Sequence, residues 1–153
     1  METVTNLNKD TLEAVQDLIK INIDSSEGFK SAADQLENSQ HLERYFQECV
    51  AERRSNANEL ARVVGSNAET PEDTGTIRGT VHRWWLEVRG AMQSGDEHAI
   101  LAEAERGEDA IKHRYEDLLK ETAGSAVNDV LQRQYAGVKR RHDQVRAMRD
   151  ARA

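Results

Sequence analysis

The chain has 153 residues, the length of one domain with a real core, and its 32% charged and 37% apolar content suits long amphipathic helices. A sheet protein would be richer in Val, Ile and Thr. The net charge of −7 argues against nucleic acid as the main partner, and the lone Cys49 excludes an internal disulfide.

The first helix is expected from Leu7 to Leu36. Leu12, Val15, Ile19, Asn22, Ser26, Phe29, Ala33 and Leu36 recur at alternating steps of three and four, which marks one helical face. Asn38-Ser39 breaks it and offers an N-cap to a second helix, Gln40 to Val64, with the stripe Leu42, Phe46, Cys49, Arg53, Asn56, Leu60 and Val63. Gly65 stands where a C-cap glycine belongs, and Ser66 to Gly75 has loop composition around Pro71. A shorter helix follows from Thr76 to Gln93 with Val81, Trp84, Trp85, Val88 and Met92. Ser94-Gly-Asp-Glu97 then reads as a turn and capping box. The third long helix runs to Glu121 on Leu101, Ala104, Glu108, Ile111, Tyr115 and Leu118. After Ala123-Gly-Ser125, the fourth runs to Arg149 on Val127, Leu131, Gln134, Val138, Arg141, Val145 and Met148, with His142 adjoining.

Two very short connections make each pair of long helices an antiparallel hairpin. The connection over residues 66–95 includes an 18-residue helix that reaches about 27 Å, long enough to travel the bundle. The fold expected is therefore all-α, a single domain over residues 1–153: a ferritin-like four-helix bundle with a helical crossover between helices two and three. A fifth helix capping one end is the alternative.

Every long stripe turns polar near its centre: Asn22, Ser26 and Glu27; Glu52, Arg53 and Asn56; Glu105 and Glu108; Gln134, Arg141 and His142. Counted from Ser39, Glu27 lies 12 residues before and Glu52 13 after, so the two are expected to face each other. Counted from Ala123, Glu108 lies 15 before and His142 19 after, with Glu105 at 18 matching His142 better. Buried charge is costly unless paired or bound to metal, so this layer is the candidate site.

The segments INIDSSEGFKSAAD, AERRSNANEL, HRWW, AEAERGEDAIKHRYEDLL and QYAGVKRRHDQVRAMRD carry a resemblance that covers nearly the whole chain. They resemble a family of small, uncharacterised bacterial four-helix-bundle proteins of the ferritin-like superfamily. The resemblance implies that fold and no assigned activity. Ferritin-like proteins hold two irons with a Glu from each of two helices and Glu-x-x-His from each of the others. Carried over, Glu27, Glu52, Glu108 (or Glu105) and His142 fit. Ser55 stands where a His is required and Lys139 where a Glu is required.

What remains is a set of three carboxylates and one imidazole, Glu27, Glu52, Glu108 and His142, suited to a single Fe or Mn with oxidase or peroxide chemistry. Opposed to it is an ion-pair layer in which Arg53 or Arg141 bridges carboxylates, specifying helix register in a non-catalytic structural or stress-related protein without a cofactor. A homodimer is the one partnership expected, with no membrane, nucleic acid or known substrate.

His41, His98 and His113 fall on surface or boundary positions, His82-Arg-Trp84-Trp85 reads as a pin for the connecting helix, and Cys49 as a buried thiol. The run Lys139 to Arg152 reads as a cationic helix C-terminus. No apolar stretch approaches a membrane span and METVTNLNKD lacks a signal-peptide pattern, so a cytoplasmic location is the default expectation.

Overall fold

The computed structural model describes residues 3–36, 39–72 and 80–152, and within them all side chains except those of Gln35 and residues 80–85. Among the described residues the protein is all-α, with helices α1 (Lys9–Gln35), α2 (Gln40–Ser66), α3 (Thr80–Ser94), α4 (Glu97–Glu121) and α5 (Asn128–Asp150). There is no strand among them, only an isolated bridge between Thr3 and Asn6. No helix there is long and apolar enough to cross a membrane. The expected helix start at Thr76, and the side chains of Val81, His82, Trp84 and Trp85, lie outside the described residues.

Short polar side chains set where the helices begin. Asn8 caps α1 by accepting from the Thr11 N–H, and Asp96 caps α4 by accepting from the N–H groups of His98 and Ala99. The end of α2 differs from expectation. The helix continues through Gly65, and the residue in left-handed backbone is Ala68, at φ 59°. The Ala68 N–H donates to the Gly65 carbonyl at 3.1 Å and the Glu69 N–H to the Val64 carbonyl at 3.3 Å, the paired bonds of a Schellman end. Asn67 secures this end from the side. Its amide donates to the carbonyls of Val63 and Val4, and its oxygen accepts the Leu7 N–H at 2.7 Å. The tertiary tie of Asn67 places the reversal three residues later than the glycine suggests.

The apolar stripes assemble into two separate clusters. One joins Val15, Leu18 and Ile19 of α1 to Leu60 and Val64 of α2, Ile111, Tyr115 and Leu118 of α4, and Leu131 and Val138 of α5. The other joins Phe29 and Ala33 of α1, Leu42, Phe46 and Cys49 of α2, Val88 of α3, Leu101 and Ala104 of α4, and Val145 of α5. Each fully buried Leu or Phe side chain contributes about 1.5–3 kcal/mol, so both clusters are needed to hold four helices together.

Membership fixes direction. The start of α1, the end of α2, the end of α4 and the start of α5 meet in the first cluster. Hence α1 and α5 run one way and α2 and α4 the other. The end of α2 and the start of α4 therefore lie at opposite ends of the four helices.

An L-residue held in left-handed backbone costs roughly 1–2 kcal/mol. Ala68→Gly is expected to raise stability by about 1 kcal/mol in urea unfolding, after the greater freedom of glycine in the unfolded chain is subtracted. A loss of stability would mean that the Schellman end does not form.

Candidate functional site

Between the two clusters lies the polar layer. Asn22, Ser25 and Ser26 of α1, Arg53 and Asn56 of α2, Glu105 and Glu108 of α4, and Gln134 and His142 of α5 are all buried. The helical repeat explains the grouping. Positions three or four apart share a face, so each helix presents its polar residues at one level toward the others.

Arg53 is the centre. It is fully buried, and its Nη2 donates to Glu108 Oε2 at 2.6 Å, with neither side chain exposed. Its Nη1 donates to Glu52 Oε1 at 2.7 Å. The other Glu52 oxygen accepts from Arg141 Nε at 3.1 Å, and Arg141 Nη1 reaches Glu48 at 2.8 Å. A ladder of carboxylate and guanidinium groups thus runs from the interior to the surface across α4, α2 and α5. Burial works against the Arg53 charge, but Glu108 and the other nearby groups outweigh it and hold the guanidinium protonated. Burial also pushes the Glu108 carboxyl above the usual carboxylate range, with Arg53 pulling it back. Arg53 gives one bond to each carboxylate instead of a two-pronged fork to either. Arg53 Nε and Glu108 Oε1 have no hydrogen-bond partner among the described residues.

An uncharged chain completes the layer. Asn22 Nδ2 donates to the Tyr115 hydroxyl at 2.9 Å, which donates to Gln134 Oε1 at 2.9 Å. Gln134 Nε2 donates to the Asn56 carbonyl at 3.3 Å and to Glu59 at 2.7 Å. Arg133 holds the other Glu59 oxygen, and that hydrogen bond keeps Glu59 below the usual carboxylate range.

The four residues singled out from the sequence are not gathered around one point. Glu52 and Glu108 converge, but on Arg53. His142 is buried, yet its Nε2 meets Asp109 at 2.7 Å and lies 3.9 Å from Glu105, while Nδ1 lies 3.1 Å from Asp143. Arg149 occupies the remaining oxygen of Glu105. Glu27 is exposed. It has the expected depth along α1 but the wrong azimuth. Ser26 is the inward residue, and the next position turns away by about 100°.

Among the described residues, no three His, Cys, Asp or Glu side chains are grouped so as to hold a metal ion. The donors do not fit a ferritin-like metal centre in this arrangement, because the guanidiniums of Arg53 and Arg141 hold both oxygens of Glu52 and one of Glu108, placing positive charge where a cation would sit. Sequence reasoning missed Asp109, Glu59 and the Tyr115 hydroxyl. Tyr115 belongs to an apolar stripe, and nothing in the stripe reveals its polar end.

Cys49 is fully buried, and burial pushes its thiol up, out of the range of a reactive thiolate. His41 and His113 are exposed and His98 is half-buried.

A family model described as a domain of unknown function, DUF2383, matches residues 10–121. The chain belongs to the DUF2383 family. No curated protein matches it. The DUF2383 match runs from α1 to the end of α4 and so contains Glu52, Arg53 and Glu108, while Arg141 and His142 lie on α5 beyond it.

Removing one partner of a buried ion pair costs about 3–5 kcal/mol, because the other charge is stranded. Glu108→Ala is therefore expected to lower the unfolding free energy by about that amount, and the double change Arg53→Met with Glu108→Leu to recover most of it. Chemical denaturation of the three proteins checks this. Equal losses in the single and double variants would show that the pair is not what Glu108 supplies.

The tyrosines give a second test. Burial pushes Tyr115 up to about 12 and raises Tyr45 well above its ordinary value, and the hydrogen bond to Glu116 pushes Tyr135 up to about 12. Unfolded tyrosines lose their protons near pH 10, roughly, while the folded chain retains them. Stability should thus be unaffected below that pH and fall as pH rises toward 12. Tyrosinate absorbance of the native protein should show all three tyrosines still protonated at pH of about 10.5, and a tyrosine ionising with the ordinary value would contradict this.

Proposed function

We propose that this DUF2383 protein is a single-domain, ferritin-like four-helix bundle whose polar middle is an ion-pair network, and that its role is non-catalytic, as a structural or stress-related protein. The observation that carries this is the Arg53 guanidinium lying between Glu52 and Glu108, within 2.7 Å of both. An internal guanidinium supplies the positive charge that a bound cation supplies in metal-holding bundles of this shape, and it does so permanently.

The ferritin-like topology, with residues 66–95 as a helical crossover, is supported by the shared direction of α2 and α4. Helices that run the same way cannot be joined by a tight turn. A cytoplasmic location and self-association as a dimer belong to the same proposal.

The competing function is Fe or Mn binding with oxidase or peroxide chemistry at Glu52, Glu108 and His142. It would require Arg53 to leave a fully buried position and abandon both carboxylates, which disfavours it.

Elemental analysis of protein purified without a metal-affinity tag, before and after anaerobic loading with Fe or Mn, separates the two. The expected result is far less than stoichiometric Fe, Mn or Zn, together with an unfolding midpoint that added chelator does not move. Stoichiometric metal that is lost on Glu108→Gln would overturn the ion-pair function and establish the metal centre.

A further inference from the structure

We propose that the polar layer is a binding site for a single internal water molecule, which bridges the Arg53 Nε–H to Glu108 Oε1. The observation behind it is a pair of unmet atoms on one salt bridge. Arg53 Nη2 donates to Glu108 Oε2 at 2.6 Å, while Arg53 Nε and Glu108 Oε1 have no hydrogen-bond partner among the described residues. Neither side chain has exposed surface, so bulk solvent reaches neither atom.

Guanidinium geometry keeps the two atoms on the same side of the pair. Nε–H and one Nη2–H point the same way along one edge of the planar group, the edge that grips a carboxylate with two parallel bonds. Only the Nη2 half of that grip is made. On the other side, Arg53 Nη1 is committed to Glu52 Oε1 at 2.7 Å, and Glu52 is in turn held by Arg141 at 3.1 Å. Arg53 is thus anchored from two helices, and a donor and an acceptor flank the bond it makes to Glu108.

Complementarity selects the occupant. The site offers one N–H and one carboxylate oxygen, so the molecule bound there must accept one hydrogen bond and donate another. A cation would meet the charge of Arg53 and an anion that of Glu108, which leaves a neutral molecule. Full enclosure restricts it to the smallest that both accepts and donates. Apolar interiors stay dry, but this level of the bundle also holds the buried Asn22, Asn56 and Tyr115 hydroxyl. Leaving two bonds unmade on buried charged groups costs more than immobilising one water.

Water-selective NOE and ROE spectroscopy of the full chain, labelled with nitrogen-15, reads this contact directly. A cross-peak between the Arg53 Nε–H and water is expected, with opposite signs in the two spectra, as a long-lived water gives. Oxygen-17 relaxation dispersion of the solvent supplies a second measurement that proton relay through hydroxyl groups does not affect. In the double variant Arg53→Met with Glu108→Leu the dispersion should fall by the share of about one long-lived water, because an apolar pair offers it no partners. Should that variant not fold, the cross-peak of the unaltered protein decides. The proposal is overturned by the absence of the cross-peak, by equal signs in the two spectra, which report proton exchange, or by equal dispersion in the two folded proteins.

Discussion

A guanidinium with no exposed surface is the most constraining object in this protein. Taking such a charge out of water costs several kcal/mol even after relaxation, so Arg53 can be buried only where partners are already placed. One of them, Glu52, is its neighbour on α2. The other, Glu108, comes from α4, on the opposite hairpin. This makes the pair a gauge of helix position. Sliding α2 against α4 by one turn would move the partners apart by about 5.4 Å and strand two buried charges, whereas apolar side chains would tolerate the slip with modest repacking. Through Glu52 the same constraint reaches Arg141, so α5 is positioned by the charge that positions α2 and α4. Within the layer α1 joins through Asn22 to Tyr115, and nearer the surface an ion pair between Asp17 and Arg114 ties it to α4 as well.

The layer also carries a cost, which shows in the packing. It divides what would be a continuous core into two clusters, and it leaves Arg53 Nε and Glu108 Oε1 without hydrogen bonds among the described residues. Unmade bonds on buried groups cost about 1–3 kcal/mol each. A layer selected for stability alone would be expected to be apolar, since replacing buried ion pairs with hydrophobic residues is often neutral or favourable. Specification of register is the benefit that such a pair supplies, because the apolar clusters on either side of the layer would tolerate a slip that Arg53, Arg133 and Arg141 would not.

Much of this was legible in the sequence. The stripes give all four long helices to within a few residues, and they place Arg53, Asn56, Glu108, Gln134 and His142 on inward faces, where the structure buries them. Two departures from the local pattern share one cause: tertiary contacts decide them. Counting from turns gives depth along a helix but not azimuth, so the count pairs Glu27 with Glu52 although Glu27 faces solvent. Gly65 has the right chemistry for a helix end, yet Asn67 ties that end to Leu7 and Val4 and moves the left-handed residue to Ala68. The choice between a metal layer and an ion-pair layer was not legible at all. Both need acids on inward faces at one level, and the stripe places Arg53 among them, but spacing does not say which carboxylate oxygens its guanidinium takes.

Arg141 connects that interior question to the surface. Its Nε belongs to the buried ladder through Glu52, while its Nη1 holds Glu48 and Gln144, both walls of the groove between α2 and α5. The side chain thus has two sets of partners on one rigid planar group, and the geometry of one set limits that of the other. If Glu52 were drawn toward any other cation, Arg141 would have to rotate, and Glu48 would lose the charge that now neutralises it. The buried layer and the polar wall between α2 and α5 therefore share the same three acids and two arginines, and a change in one set of bonds shifts the other.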